Sequence, residues 1–223
     1  MTARQQSVMI VAFGDSITEA SHQKLEYRWP EILRRQLQER FTGTNIKVIN
    51  AGVGGNTSRE GLARFEKDVL SHRPDFVLFE FGNDATHEPE RHVTEDEFIK
   101  NQNLIIARVA KEAGGRAIPL IFPPIIDRWH VYYNHPFTKQ HGGQDRYQER
   151  YREATRQMAR ENNCPLIDID GALRKEMAQH GPESCILPDG VHLTAHGNEC
   201  VALAVLQALA PELEKYCQSP SAK

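Results

Sequence analysis

Five short apolar runs rich in β-forming residues, at 8–13, 46–50, 76–81, 117–122 and 165–169, alternate with stretches of helical periodicity, and this alternation constrains the fold more than any other feature. The runs are continuously apolar rather than alternating, which predicts strands buried on both faces. Between them, Trp29, Ile32, Leu33, Leu37 and Phe41 fall on one helical face, and Leu62, Phe65, Val69 and Leu70 on another. Further helices are expected over 94–113, where Thr94 and Glu97 form a capping-box pattern, over 144–162 and over 195–216. The pattern predicts an α/β fold, a three-layer α/β/α sandwich around a parallel sheet of about five strands joined by right-handed crossovers. Ligands in such sheets bind at the carboxyl ends of the strands.

The 223 residues, 39% hydrophobic and 26% charged, suffice for one sizeable core, so residues 1–217 are expected to form a single domain and 218–223 a loose tail. A net charge of -3 offers no basic stripe for nucleic acid or an anionic membrane surface. No stretch approaches the ~18 consecutive apolar residues of a membrane span, so stable membrane association is not expected. Seven residues precede the first strand, too few for a signal peptide, and the expected compartment is the cytoplasm. Cys164, Cys185, Cys200 and Cys217 are scattered without a CxxC pair, which argues for buried free thiols rather than a structural zinc or redox centre. The patterning fixes no oligomeric state.

Chemistry-bearing residues gather at the predicted strand ends. Directly after the first run comes Gly14-Asp15-Ser16, and far downstream Asp189-Gly190-Val191-His192 sets a carboxylate three residues before an imidazole. A serine hydroxyl is a poor nucleophile unless a base takes its proton. His192 is the candidate base, and Asp189 the group that fixes its tautomer and stabilises the imidazolium. Acyl transfer also needs donors for the developing oxyanion. The glycine-rich 51–57 turn offers backbone N–H groups after the second run, and Gly82-Asn83-Asp84 offers the Asn83 amide after the third.

Each fragment has a plainer reading. Ser16 is the kind of residue that caps a helix, Asp189 and His192 suit a solvated turn, Asn83 and Asp84 suit a tight turn, and Asp15 suits a loop brace. A nucleotide- or sugar-binding module is the non-enzyme alternative, but a dinucleotide fingerprint needs a third glycine where Thr57 stands. A metal site of Cys185, Asp189, His192 and His196 is another. The Gly-x-Ser-x-Gly elbow of α/β-hydrolases does not fit, because Thr18 replaces its second glycine.

Taken in order, Gly14-Asp15-Ser16, Gly54-Gly55-Asn56-Thr57, Gly82-Asn83-Asp84 and Asp189-Gly190-Val191-His192 resemble four blocks of the SGNH hydrolase family, the GDSL-type esterases and lipases. The resemblance implies a flavodoxin-like sheet, Ser16 as nucleophile, His192 as base and Asp189 as its partner. It implies an oxyanion hole of the Ser16 and Gly55 N–H groups and the Asn83 side chain, with no metal or organic cofactor. The family's activities imply a small ester substrate. Short-chain or acetyl esters, including those of carbohydrates, come first, with a lysophospholipid or acyl thioester as the alternative. Ile17 stands where the family commonly has leucine, and Phe81 where it often has glycine, a change expected to reshape the acyl side of the site.

The 123–143 stretch is too long for an ordinary connection and carries Trp129, His130, Tyr132, Tyr133, His135 and His141. In that position it is expected to overhang the site as a loop or lid. Asp15, Phe81, Trp129, Tyr132 and Tyr133 are therefore the expected substrate-lining residues.

Overall fold

The computed structural model describes residues 6–218. Its order is β1 (Gln6–Gly14), α1 (Ser16–Glu19), α2 (Trp29–Arg40), β2 (Thr44–Gly52), α3 (Ser58–Asp68), β3 (Phe76–Phe79), α4 (Glu95–Arg108), β4 (Arg116–Ile121), α5 (Pro136–Gln140), α6 (Gln144–Glu161), β5 (Ile167–Asp168), α7 (Ile169–His180) and α8 (Ala195–Gln218). The five strands are parallel and run β2-β1-β3-β4-β5 across the sheet, the doubly wound order in which the chain reverses direction beside β1. Helices cover both faces, giving the expected three layers.

Successive residues of β1 point to opposite faces and supply two cores. Val8, Ile10 and Ala12 meet Leu33 and Leu37 of α2, Leu173 of α7 and Val205 of α8. Val11 and Phe13 meet Phe65 of α3 and Ile105 of α4 on the other side. The register sets Gly14 beside Gly52, Phe13 beside Phe79 and Phe79 beside Pro119. The loops leaving β1, β2 and β3 therefore emerge level with one another, and this is what assembles the site.

Five expectations need correction. The second run is an edge strand whose first half alternates buried and exposed residues, Thr44 and Ile46 facing the core and Asn45 and Lys47 turned to solvent. The fifth strand is only two residues long, since the Asp168 carboxylate accepts the Gly171 N–H at 2.8 Å and starts α7 at once, a helix absent from the sequence reading. Thr94 caps α4, but Glu97 turns outward to Arg59 at 2.6 Å instead of closing a box. The regular part of α4 then ends at Arg108, and Val109–Ala113 forms a wider π-type turn that stops at Gly114. Gln218, expected in the tail, is the last residue of α8, and 219–223 lie outside the described residues. Among the described residues no helix is long and apolar enough to cross a membrane.

Candidate active site

At the end of β1 the chain turns through one helical turn, α1. Asp15 caps it, its Oδ1 accepting the Ile17 N–H at 2.9 Å, so the capping role does not fall to Ser16. Freed from that duty, the Ser16 hydroxyl faces His192, with Oγ 3.0 Å from Nε2. The Ser16 N–H lies in the first turn of α1 and has no intrahelical acceptor.

His192 is presented by a tight turn that Asp189 organises from within. One carboxylate oxygen accepts the Val191 and His192 N–H groups, each at 2.9 Å, and the other lies 2.8 Å from His192 Nδ1. Burial pushes the Asp189 carboxyl upward, but the Val191 and His192 hydrogen bonds outweigh it and hold the group below the usual carboxylate range. It therefore stays ionised beside the imidazole. Gly190 sits at φ 78°, and a Cβ there would fall 2.6 Å from the Ile126 carbonyl oxygen. That close approach lets the Ile126 N–H donate to the Gly190 carbonyl at 2.8 Å, fastening the 123–143 excursion to the turn.

His22 was not expected from the sequence. Its ring centroid is 4.7 Å from that of His192, and its Nε2 is 3.1 Å from the Leu193 carbonyl. Burial and the neighbouring His192 charge both push its pKa down, which favours a neutral ring against the base.

The remaining loops are stitched together by buried polar groups. Asp15 Oδ2 accepts the Asn83 N–H at 3.3 Å, tying the first loop to the third. Glu80 Oε1 accepts the Thr18 hydroxyl at 2.6 Å and the Asp15 N–H at 3.3 Å, while Asp84 Oδ1 accepts the Ser58 N–H at 2.6 Å. The second oxygens of Glu80 and Asp84 are buried and have no hydrogen-bond partner among the described residues. Burial raises all three acids, Asp15 to about 6, Asp84 to about 7, and Glu80 well above its usual value with help from the Asp15 charge. Arg64 of α3 joins the first two loops, reaching Gly14 O at 2.9 Å, Ala51 O at 2.7 Å and Asn56 Oδ1 at 2.7 Å.

Above these loops lies a cavity of about 480 Å³, lined by Ser16, Gly55, Asn83 and His192 together with Asp15, His22, Arg91, His87, His130, Tyr132, Gln144 and Gln148. Gly55 adopts φ 75°, and Arg91 donates to its carbonyl. Asn83 lines the cavity, and among the described residues its carboxamide takes no hydrogen bond.

Of the expected lining residues, Asp15 and Tyr132 reach the cavity and three do not. Phe81 is fully buried in the opposite core layer, edge-on to Phe13 with centroids 5.1 Å apart. Trp129 packs down on the α2/α8 core, and Tyr133 points outward, 48% exposed. The excursion itself contains α5 and is anchored by buried Arg152, which donates to the Phe122 and Pro123 carbonyls and pairs with Asp145 at 2.8 Å. The metal grouping of Cys185, Asp189, His192 and His196 is not assembled, because His192 is engaged by Ser16 and Asp189 while His196 turns to Glu176 at 2.8 Å.

A family model described as the GDSL-like lipase/acylhydrolase family matches residues 12–200. The chain belongs to that family. This GDSL-like hydrolase is 30% identical over 218 residues to an uncharacterized lipoprotein of Bacillus subtilis, covering 86% of this chain and 85% of the relative. It is 27% identical over 219 residues to an acetylxylan esterase of Geobacillus stearothermophilus, covering 90% of this chain and 93% of that protein. A crystal structure of an acetylxylan esterase from the same bacterium shares the fold with a TM-score of 0.74 at 23% identity, over 92% of this chain and 96% of the other. As a member of this family the GDSL-like hydrolase is a carboxylic ester hydrolase.

Proposed function

We propose that Ser16 is the nucleophile, His192 the general base and Asp189 its orienting partner, and that the substrates are short-chain or acetyl esters, including those of carbohydrate alcohols. The observation that carries this reading is the hydrogen-bonded chain from Ser16 Oγ through His192 to Asp189, 3.0 and 2.8 Å, opening onto a cavity that also holds Asn83 and Gly55. Ser16 attacks the ester carbonyl as His192 takes its proton. The oxyanion is received by the Ser16 and Gly55 N–H groups and the Asn83 amide. His192 then protonates the departing alcohol, and water, activated by the same imidazole, releases the acid from the acyl-enzyme.

The alcohol half of the substrate is indicated by the lining. His87, His130 and Tyr132 line a volume suited to a small sugar rather than a long acyl chain. The similarity to a protein named acetylxylan esterase supports the same choice. The test is a series of nitrophenyl esters from acetyl to lauroyl, followed by acetate release from acetylated xylo-oligosaccharides. Acetyl is expected to be preferred, and a maximum at lauroyl would favour a lysophospholipid or thioester substrate instead.

The same reading treats residues 1–217 as one working domain in the cytoplasm, supported by the single sheet whose strand ends carry the Ser16, Gly55 and Asn83 loops and by the scattered cysteines. Limited proteolysis that leaves this span intact, and cell fractionation, check the two points.

A further inference from the structure

On the outer side of α7 and α8, away from Ser16, two helical pairs face each other. Glu176 and His180 are four residues apart on α7, and His196 and Cys200 four apart on α8, so each pair shares one helix face. Glu176 Oε1 lies 2.8 Å from His196 Nε2 and 3.6 Å from His180 Nε2, and Cys200 Sγ lies 3.7 Å from His196 Nε2. One donor atom from each of Glu176, His196 and Cys200 falls within 4.8 Å of the others. We propose that these three residues form a zinc-class divalent metal site clamping α7 to α8, with His180 or water completing the coordination.

The donor set decides the class of ion. Imidazole, thiolate and a single carboxylate suit zinc or cobalt, whereas calcium and magnesium want oxygen cages. Metal–ligand distances of about 2.0 to 2.3 Å in a tetrahedron set donors roughly 3.3 to 3.7 Å apart, so the present arrangement needs only small side-chain rotations to close. The surroundings fit as well. With Nε2 turned to the metal, His196 presents Nδ1 to the Glu199 carboxylate 3.6 Å away, the outer carboxylate partner that commonly orients a ligating histidine. A surface ion network of His196 with Glu176 and Glu199 accounts for those three residues but gives no role to the Cys200 thiol beside them, which also neighbours Cys185. Binding converts the Cys200 thiol to thiolate and releases its proton to solvent.

The position gives the site a consequence. Cys185 accepts the Thr194 N–H at 2.9 Å just before α8 begins, so the segment between α7 and α8 that carries Asp189 and His192 is bounded by the two clamped helices. The metal is structural, and ester hydrolysis does not require it.

Cobalt titration of the reduced, chelator-treated full chain tests the proposal. A thiolate-to-cobalt charge-transfer band and tetrahedral visible bands are expected, both displaced by zinc, and zinc should raise Tm. Cys200→Ser should abolish the charge-transfer band and His196→Gln weaken zinc binding by about 100-fold, while Glu199→Gln should weaken it about tenfold. Cys164→Ser and Cys217→Ser should leave the band intact. Circular dichroism of each variant separates lost binding from lost folding, and His196→Gln serves if Cys200→Ser does not fold. Absence of the band in the wild type, its persistence in Cys200→Ser, or equal zinc affinity in His196→Gln overturns the proposal.

Discussion

The Arg64 guanidinium donates to the Gly14 carbonyl at 2.9 Å across fifty residues of sequence, and the same planar group holds Ala51 and Asn56. Three acceptors in a fixed fork are within reach of arginine and not of lysine. Arg64→Lys should therefore let the nucleophile loop and the Gly55 turn drift apart and lower kcat/KM for an acetyl ester by about 100-fold. A change under about threefold would show that the loops keep their spacing without it.

Ser16→Ala should retain the fold, because Asp15 rather than Ser16 caps α1. Turnover should fall by roughly three to six orders of magnitude. A serine-reactive phosphonate should label the wild type once per chain and the variant not at all. Undiminished hydrolysis by the variant removes Ser16 from the mechanism.

Asn83→Ala removes the carboxamide of a residue that lines the cavity while leaving its backbone N–H on Asp15. The expected loss is about 2.7 to 4 kcal/mol of transition-state stabilisation, read mainly in kcat. A rise in KM alone would make the residue a substrate contact instead of an oxyanion donor.

Asp84 at about 7 and Asp15 at about 6, each raised chiefly by burial, keep their protons in the native state where the unfolded chain has lost its own. The native state then binds more protons, so stability falls as pH rises. Their contribution is complete below the ordinary value of 3.8 and disappears as pH passes through about 6 to 7. Tm should decline between about pH 4 and pH 7, and Asp84→Asn should flatten that decline. Parallel Tm curves for the two proteins would contradict it.

Arg152 is fully buried among Asp145, Glu149 and Asp170 while holding two carbonyls at the base of the excursion. Arg152→Met takes the buried partner from those acids, which keep Arg174 and Arg156 at the surface, and removes the donor to the Phe122 and Pro123 carbonyls, so it should cost about 3 kcal/mol in denaturant unfolding. The variant should also raise KM, since the loop bearing His130 and Tyr132 loses its anchor.

The layers and the Ser16, Gly55 and Asn83 loops were legible because each of these loops follows an apolar run whose end the sheet brings level, whereas the His192 turn lies between α7 and α8 and was tied to Ser16 by its motif alone. Phe81 was misread although strand parity was available: it stands two residues beyond Phe79 and so faces the same core layer as Phe13. Trp129 and Tyr133 offered no comparable rule, since an irregular excursion carries no periodicity to say which side chains turn inward. Arg64, Glu80, Asp84 and His22 were illegible for another reason. Each is identified by a partner remote in sequence, Gly14 for Arg64, Thr18 for Glu80, Ser58 for Asp84 and Leu193 for His22, between 26 and 171 positions away. The α7 start went unnoticed because Asp168 serves both as strand end and as cap.

The hydrogen bond between Ile126 and Gly190 makes the rim of the cavity and the cradle of the base mechanically one piece. Point changes at Tyr132 or His130 are free to retune which alcohols are accepted. Grafting a longer or shorter segment between Pro123 and Gly143 is not equally free, because any strain it carries is delivered straight to the imidazole. Diversification of this scaffold by recombination should therefore exchange that segment and the 189–192 turn as a matched pair.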